Sequence, residues 1–229
     1  MLTVCAIATG PATQVAHSAR PMITDDARTV DSKACQVESW VRFNRESTEY
    51  WALPACNFTG NLELTFGGSR THFKEDDGGT RATDIVLQGK TVFKPLEPNG
   101  WAVGLTMGGM RHPAARAYDA YAYVPASFSF KDDRVVLHTN LGWLHEGERR
   151  RHRMTWGLGS ETQLSERAYL VAETFGQNQG RPLYQAGIRF WIVPNHVQVD
   201  TTYGNRFGHG TAERWISVGL RLLSVPFLP

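Results

Sequence analysis

The stretch Pro182-Leu183-Tyr184-Gln185-Ala186-Gly187-Ile188-Arg189-Phe190-Trp191-Ile192-Val193 decides the fold class. Tyr184, Ala186, Ile188, Phe190 and Ile192 share one parity; Gln185, Gly187, Arg189 and Trp191 share the other. Successive side chains of a strand point to opposite faces, so this is a strand with one apolar and one polar face. The last such run repeats the pattern, with Ile216, Val218, Leu220 and Leu222 opposing Trp215, Ser217, Gly219 and Arg221. Met154, Trp156 and Leu158 likewise oppose Thr155, Gly157 and Gly159.

From residue 35 onward, strand-like runs alternate with turn chemistry, and no helical period or composition break interrupts them. The reading gives about twelve strands, at 36–43, 48–55, 60–72, 80–93, 100–110, 118–131, 133–145, 150–163, 167–176, 182–193, 196–204 and 211–225. A soluble sandwich also alternates, so strand length has to decide. Soluble strands centre on about 5–6 residues and a tilted membrane strand needs about 9–11; these runs are longer than the first and suit the second. Tyr50, Phe93, Trp101, Phe128 and Tyr203 stand near strand ends, as an aromatic girdle would. No apolar run approaches the roughly 18 residues of a membrane helix, which says nothing about a barrel. The fold class is therefore all-β, an antiparallel transmembrane barrel.

Turn lengths alternate as well. With the N-terminus in the periplasm, that side holds Asn57–Thr59, Lys94–Asn99, Lys131–Asp133, Ser165-Glu166 and Pro194-Asn195. The other side holds Lys74–Gly79, Arg111–Ala117, Glu146–Arg149, Gln177–Arg181 and Asn205–Gly210, longer on average and richer in charge and glycine. Short periplasmic turns and longer outer loops are the rule for such barrels.

The first hairpin fixes a register. Centring its turn on Asn44–Ser47 pairs Phe43 with Thr48, Arg42 with Glu49 and Trp40 with Trp51. Cys35 then faces Cys56, close enough for a disulfide, and if Cys5 leaves with an export signal the remaining even pair of cysteines suits an exported protein. Export is expected from the other end of the chain too. Leu2–Ala8 is apolar and Ala16-His17-Ser18-Ala19 offers small residues for cleavage, although no Lys or Arg precedes Arg20. The expected division is an export-signal remnant at 1–19, a periplasmic or plug segment at 20–34 and the barrel at 35–229.

Arg20-Pro21-Met22-Ile23-Thr24-Asp25-Asp26-Ala27-Arg28, then Cys35-Gln36-Val37-Glu38-Ser39-Trp40, resembles the mature N-terminus of outer-membrane proteins of the phenol-degradation meta-pathway transporter type. The likeness continues through Tyr50-Trp51 and Cys56 and loosely along the barrel. It implies a twelve-stranded outer-membrane barrel that admits small molecules, aromatic or hydrophobic ones among them. Ser217-Val218-Gly219-Leu220-Arg221-Leu222 resembles the assembly signal of outer-membrane barrels, with Pro226–Pro229 running past it. The implied partners are outer-membrane lipid, a small solute and the barrel-assembly machinery, for a protein expected to be a monomer.

Assigning the apolar parity to lipid leaves an inward set. Glu38, Arg42, Glu49, Glu161, Glu173, Arg189, Asp200 and Arg221 are the candidate lumen-lining residues. A charge on the lipid side would cost up to about 2–4 kcal/mol at the midplane, which explains their common parity. Both signs occur, so an ion-pair network is expected in place of a single-sign ring. Arg189, Glu173, Asp200 and Arg221 sit on four consecutive strands, where lateral pairing is feasible.

Other classes fit less well. A formal net charge of +2 offers no electrostatic footprint for nucleic acid. Asp25-Asp26 alone is too unspecific for a metal, the eight His show no ligand spacing, and His112 belongs with the solvated outer loops. No cofactor is implied. A barrel lipase would need Ser and His together on outward positions, whereas His138 points inward by parity. Gly157-Leu158-Gly159-Ser160-Glu161 lacks the second glycine of a nucleophile elbow. The expected function is a non-enzymatic outer-membrane channel, with a purely structural barrel as the alternative and a barrel enzyme behind both.

Overall fold

The computed structural model describes residues 21–74, 80–208 and 210–229; the expected export signal at 1–19 lies outside them. The described chain forms twelve strands: β1 Cys35–Asn44, β2 Ser47–Asn57, β3 Leu62–Phe73, β4 Arg81–Lys94, β5 Trp101–His112, β6 Ala117–Phe130, β7 Val135–Glu146, β8 Arg151–Gln163, β9 Ala168–Gln177, β10 Leu183–Val193, β11 Val197–Arg206 and β12 Trp215–Leu223. Each pairs antiparallel with its sequence neighbours and β12 closes on β1, so the sheet has no free edge.

The first hairpin adopts the expected register. Phe43 faces Thr48, Arg42 faces Glu49, Trp40 faces Trp51, and Cys35 faces Cys56. The two cysteines form a disulfide with their Cα atoms 4.1 Å apart. The indoles of Trp40 and Trp51 stack at 5.2 Å, 5° from parallel. One register therefore satisfies a covalent, an aromatic and an ionic pairing together.

Residue exposure is inverted relative to a water-soluble protein. Phe66, Leu87, Leu141 and Ile188 are exposed at 64%, 61%, 61% and 49%, whereas Lys90, Glu161 and Asp200 retain 4%, 5% and 4%. An apolar band of that extent around a closed sheet is stable only against lipid. Parity thus places the apolar face in the bilayer and the charges in the lumen.

The start of β1 and the C-terminal segment lie at one rim, the terminal rim, beside the disulfide. Ser224 donates its amide to the Cys35 carbonyl, and Phe227 and Leu228 donate to Lys33. The connections at this rim span 58–61, 95–100, 131–134, 164–167 and 194–196; those at the far rim span 45–46, 74–80, 113–116, 147–150, 178–182 and 207–214. The tight turns use left-handed backbone at Lys131, Asp132, Asp133 and Asn195, where short polar side chains tolerate it best. One boundary departs from expectation. β12 begins at Trp215 and not near 211, because Arg206 Nε reaches Glu213 Oε2 (2.5 Å) and Asn205 donates to the Gly210 carbonyl. Those contacts fold the approach to β12 into a loop.

Candidate functional site

The lumen contains a second chain segment. Residues preceding β1 run inward from the terminal rim, and Met22, Thr24, Asp25, Asp26, Ala27 and Val30 are all buried. An extended peptide inside a barrel has no strand to pair with, so side chains must satisfy its backbone. The Asn57 amide nitrogen donates to the Val30 carbonyl (2.8 Å), and the Val30 amide donates to Glu63 (2.7 Å). Ala27 N donates to Ser127 Oγ at 2.9 Å. Ile23 N and Thr24 N each donate to one Glu173 oxygen at 2.6 Å, and Gln185 Nε2 donates to the Pro21 carbonyl at 2.9 Å.

Charge locks the middle of this segment. Lys90 Nζ lies 2.8 Å from Asp25 and 3.2 Å from Asp26, with all three side chains buried. Tyr123 donates its hydroxyl to Asp25 at 2.9 Å. Space comes from glycine: a Cβ at Gly157 would stand 2.5 Å from Thr24 Oγ1, and one at Gly159 would stand 3.1 Å from Met22 Sδ.

The expected lumen residues all take inward parity, but their partners differ from simple lateral pairing. Arg189 Nη2 meets Glu161 Oε2 at 2.5 Å, and its guanidinium lies over Tyr169. Arg221 Nε meets Glu38 at 3.3 Å and donates to Gln36 at 2.9 Å. Arg42 Nη1 is 4.0 Å from Glu49, and its guanidinium sits 5.1 Å above the Trp215 ring. Glu49 also accepts from Asn44 Nδ2 (2.6 Å) and Trp51 Nε1 (2.9 Å). Asp200 is buried opposite Arg189 in the β10–β11 register. Glu173 does not join the arginines; it holds the inserted segment and accepts from Gln185.

One further expectation is corrected. His112 is not a solvated loop residue but bridges Asp84 (2.7 Å) and Asp119 (3.2 Å) inside the far rim. Asp25-Asp26 pairs with Lys90, and among the described residues no cluster of metal-ligating groups forms. Lys90 was legible only as one inward charge among many, and Ser127, Tyr123 and Asn57 gave no sequence signal beyond parity.

Ser127, His138 and Glu161 form a chain that looks like a hydrolytic triad. Ser127 Oγ is 2.8 Å from His138 Nδ1, and His138 Nε2 is 3.6 Å from Glu161. The geometry favours anchoring over catalysis. Ser127 already accepts the Ala27 amide, His138 has no exposed surface, and a substrate could reach the hydroxyl only by displacing the segment.

The half of the lumen toward the far rim differs in kind. Leu53, Val86 and Met110 pack with Trp40 and Trp51, while Tyr121, Tyr123 and Leu144 form a second apolar group. Phe175 and Trp215 meet at 6.5 Å. Ile23, Tyr121, Tyr123, Leu144, Trp156 and Phe175 line a pocket beside the inserted segment.

The sequence matches the family profile described as "Uncharacterised conserved protein UCP029691" over residues 4–223. None of the curated proteins matches it. Among solved structures it is similar to the KdgM porin in complex with disordered oligogalacturonate, with TM-score 0.61 and 8% identity, covering 82% of this chain and 98% of that one. It is similar to the NanC porin, with TM-score 0.59 and 8% identity over 84% and 100%. It is also similar to outer membrane phospholipase A from Escherichia coli, with TM-score 0.52 and 13% identity over 84% and 93%. At these identities the likeness is one of fold, shared by porins and an enzyme alike. The barrel is an outer-membrane barrel.

Proposed function

We propose that this chain, which belongs to the family of uncharacterised conserved proteins UCP029691, is an outer-membrane channel for small ring-bearing or hydrophobic molecules, plugged by residues 21–34. The observation that carries this is the aromatic character of the half toward the far rim, where Trp40, Trp51, Tyr121, Phe175 and Trp215 all take inward parity and Tyr121 and Phe175 line a pocket. The rim where β1 starts and β12 ends faces the periplasm in this reading, in keeping with its shorter connections. The protein acts as a monomer and is inserted by the barrel-assembly machinery through β12, whose Ser217–Leu222 run supports that route.

The plug itself favours the structural alternative, because the Lys90 half is filled. Planar-bilayer conductance of the full chain against Glu173→Ala separates the two. Removing the carboxylate frees the Ile23 and Thr24 amides, and the variant is expected to open more often than wild type. Liposome swelling should then be faster for a small aromatic acid than for a sugar acid of similar mass. A folded variant as silent as wild type would leave the scaffold reading standing.

A further inference from the structure

Among the described residues, every Asp and Glu of the strands lies on the inward parity, while Arg70, Arg81 and Arg111 lie on the outward one and are exposed. The three sit on adjacent strands, β3, β4 and β5, near the far rim. Arg70 faces Tyr50 on β2 and Thr83 on β4; Arg111 faces Ile85 on β4 and Tyr118 on β6; Arg81 faces His72. Tyr50 and His72 meet edge to face at 5.5 Å. Arg70 and Arg111 bracket β4, about two strand spacings or ~10 Å apart. None of the three has a hydrogen-bond or ion-pair partner among the described residues. Lys94, by contrast, at the opposite end of β4, is occupied: its Nζ donates to the Trp101 carbonyl at 2.8 Å and lies 4.7 Å from that ring.

Outward arginines level with tyrosines mark the depth where lipid headgroups meet the hydrocarbon, since the phenol ring is stable at that boundary and a guanidinium deeper in is not. A guanidinium is a planar donor fork that suits phosphate. We propose that the outer wall of β3–β5 binds the phosphate groups of the glycolipid that forms the outer leaflet, gripped by Arg70 and Arg111 with Arg81 above them. The site lies outside the lumen and does not depend on conduction. The chain's own competitor is Glu75-Asp76-Asp77, which follows β3 and lies outside the described residues.

The test is native mass spectrometry of the folded protein in detergent, titrated with diphosphorylated lipid A, its dephosphorylated form and phosphatidylglycerol. Wild type should bind diphosphorylated lipid A at least tenfold more tightly than R70Q/R111Q, with little difference for the dephosphorylated lipid. R70K/R111K should recover part of the loss, and the single variant R111Q gives an intermediate value if the double variant fails to fold. Equal binding by wild type and R70Q/R111Q overturns the proposal. Phosphatidylglycerol bound as tightly as lipid A overturns the assignment to the outer leaflet.

Discussion

The two halves of the lumen are built from the same alternating strands and solve opposite problems. Toward the terminal rim, Lys90, Glu63, Glu161, Arg189, Glu173 and Ser127 converge on a polar peptide, and the pocket left beside it is lined mainly by polar groups such as Gln36, Glu38, Glu63 and Arg221. Toward the far rim, aromatic side chains line the wall and charges retreat to the mouth, as in Arg42–Glu49 and Asp84–His112–Asp119. Buried charge is tolerated in the first half only because each group meets a counter-charge or a backbone donor. The second half is held by ring packing and so can be varied without stranding a charge. Losing one partner in the first half strands a buried charge, whereas a change of ring in the second half does not.

That contrast is broken most directly at Lys90. Replacing it with Ala leaves Asp25 and Asp26 buried without their cation, a loss of about 3–5 kcal/mol for such pairs. The expected outcome is a large fall in the urea midpoint of the folded gel band. A shift no greater than that of Arg42→Ala would show that the segment is not held by charge.

A somewhat smaller effect is expected at the disulfide, which fixes where the segment leaves β1. Cys35→Ser with Cys56→Ser should cost about 2–4 kcal/mol of stability. Limited proteolysis should then cut within residues 21–34 sooner than in wild type, while the strands stay protected. Equal cutting would separate the bridge from the plug.

Gly157 tests shape in place of charge. An alanine there collides with Thr24, and overpacking of this kind costs about 1–3 kcal/mol. Thr24→Gly should restore the loss in the double variant. Without rescue, the strain lies elsewhere in β8.

Much of this was legible in the sequence and some of it could not be. Parity put Glu38, Arg42, Arg189 and Arg221 inward because the period of a strand is fixed by its backbone. The Cys35–Cys56 register followed from counting outward from one short turn. The destination of residues 21–34 had no such ruler. Ile23 and Glu173 are 150 positions apart and meet through a backbone amide, which carries no side-chain signature. Glycines 157 and 159 read as ordinary inward positions until Thr24 and Met22 were found against them. The same blindness applied to His112, whose carboxylate partners come from β4 and β6.

The smallest stability effect belongs to Arg42, and it sharpens the comparison furthest. Its side chain lies at the far end of β1, 4.0 Å from Glu49 and above the Trp215 ring. A partly exposed pair of this length is worth about 0–1 kcal/mol, so Arg42→Gln should leave the unfolding midpoint nearly unchanged. Conduction should respond more. The variant removes a cation from the unplugged half and leaves Glu49 with its neutral donors Asn44 and Trp51. In a background opened by Glu173→Ala, the reversal potential under a salt gradient should therefore move toward cation preference. Arg189→Gln in the same background should do the reverse, with a large loss of stability and little change in selectivity, since Arg189 is spent on Glu161. If both substitutions alter stability and selectivity alike, the lumen is one continuous network and the two halves are not distinct.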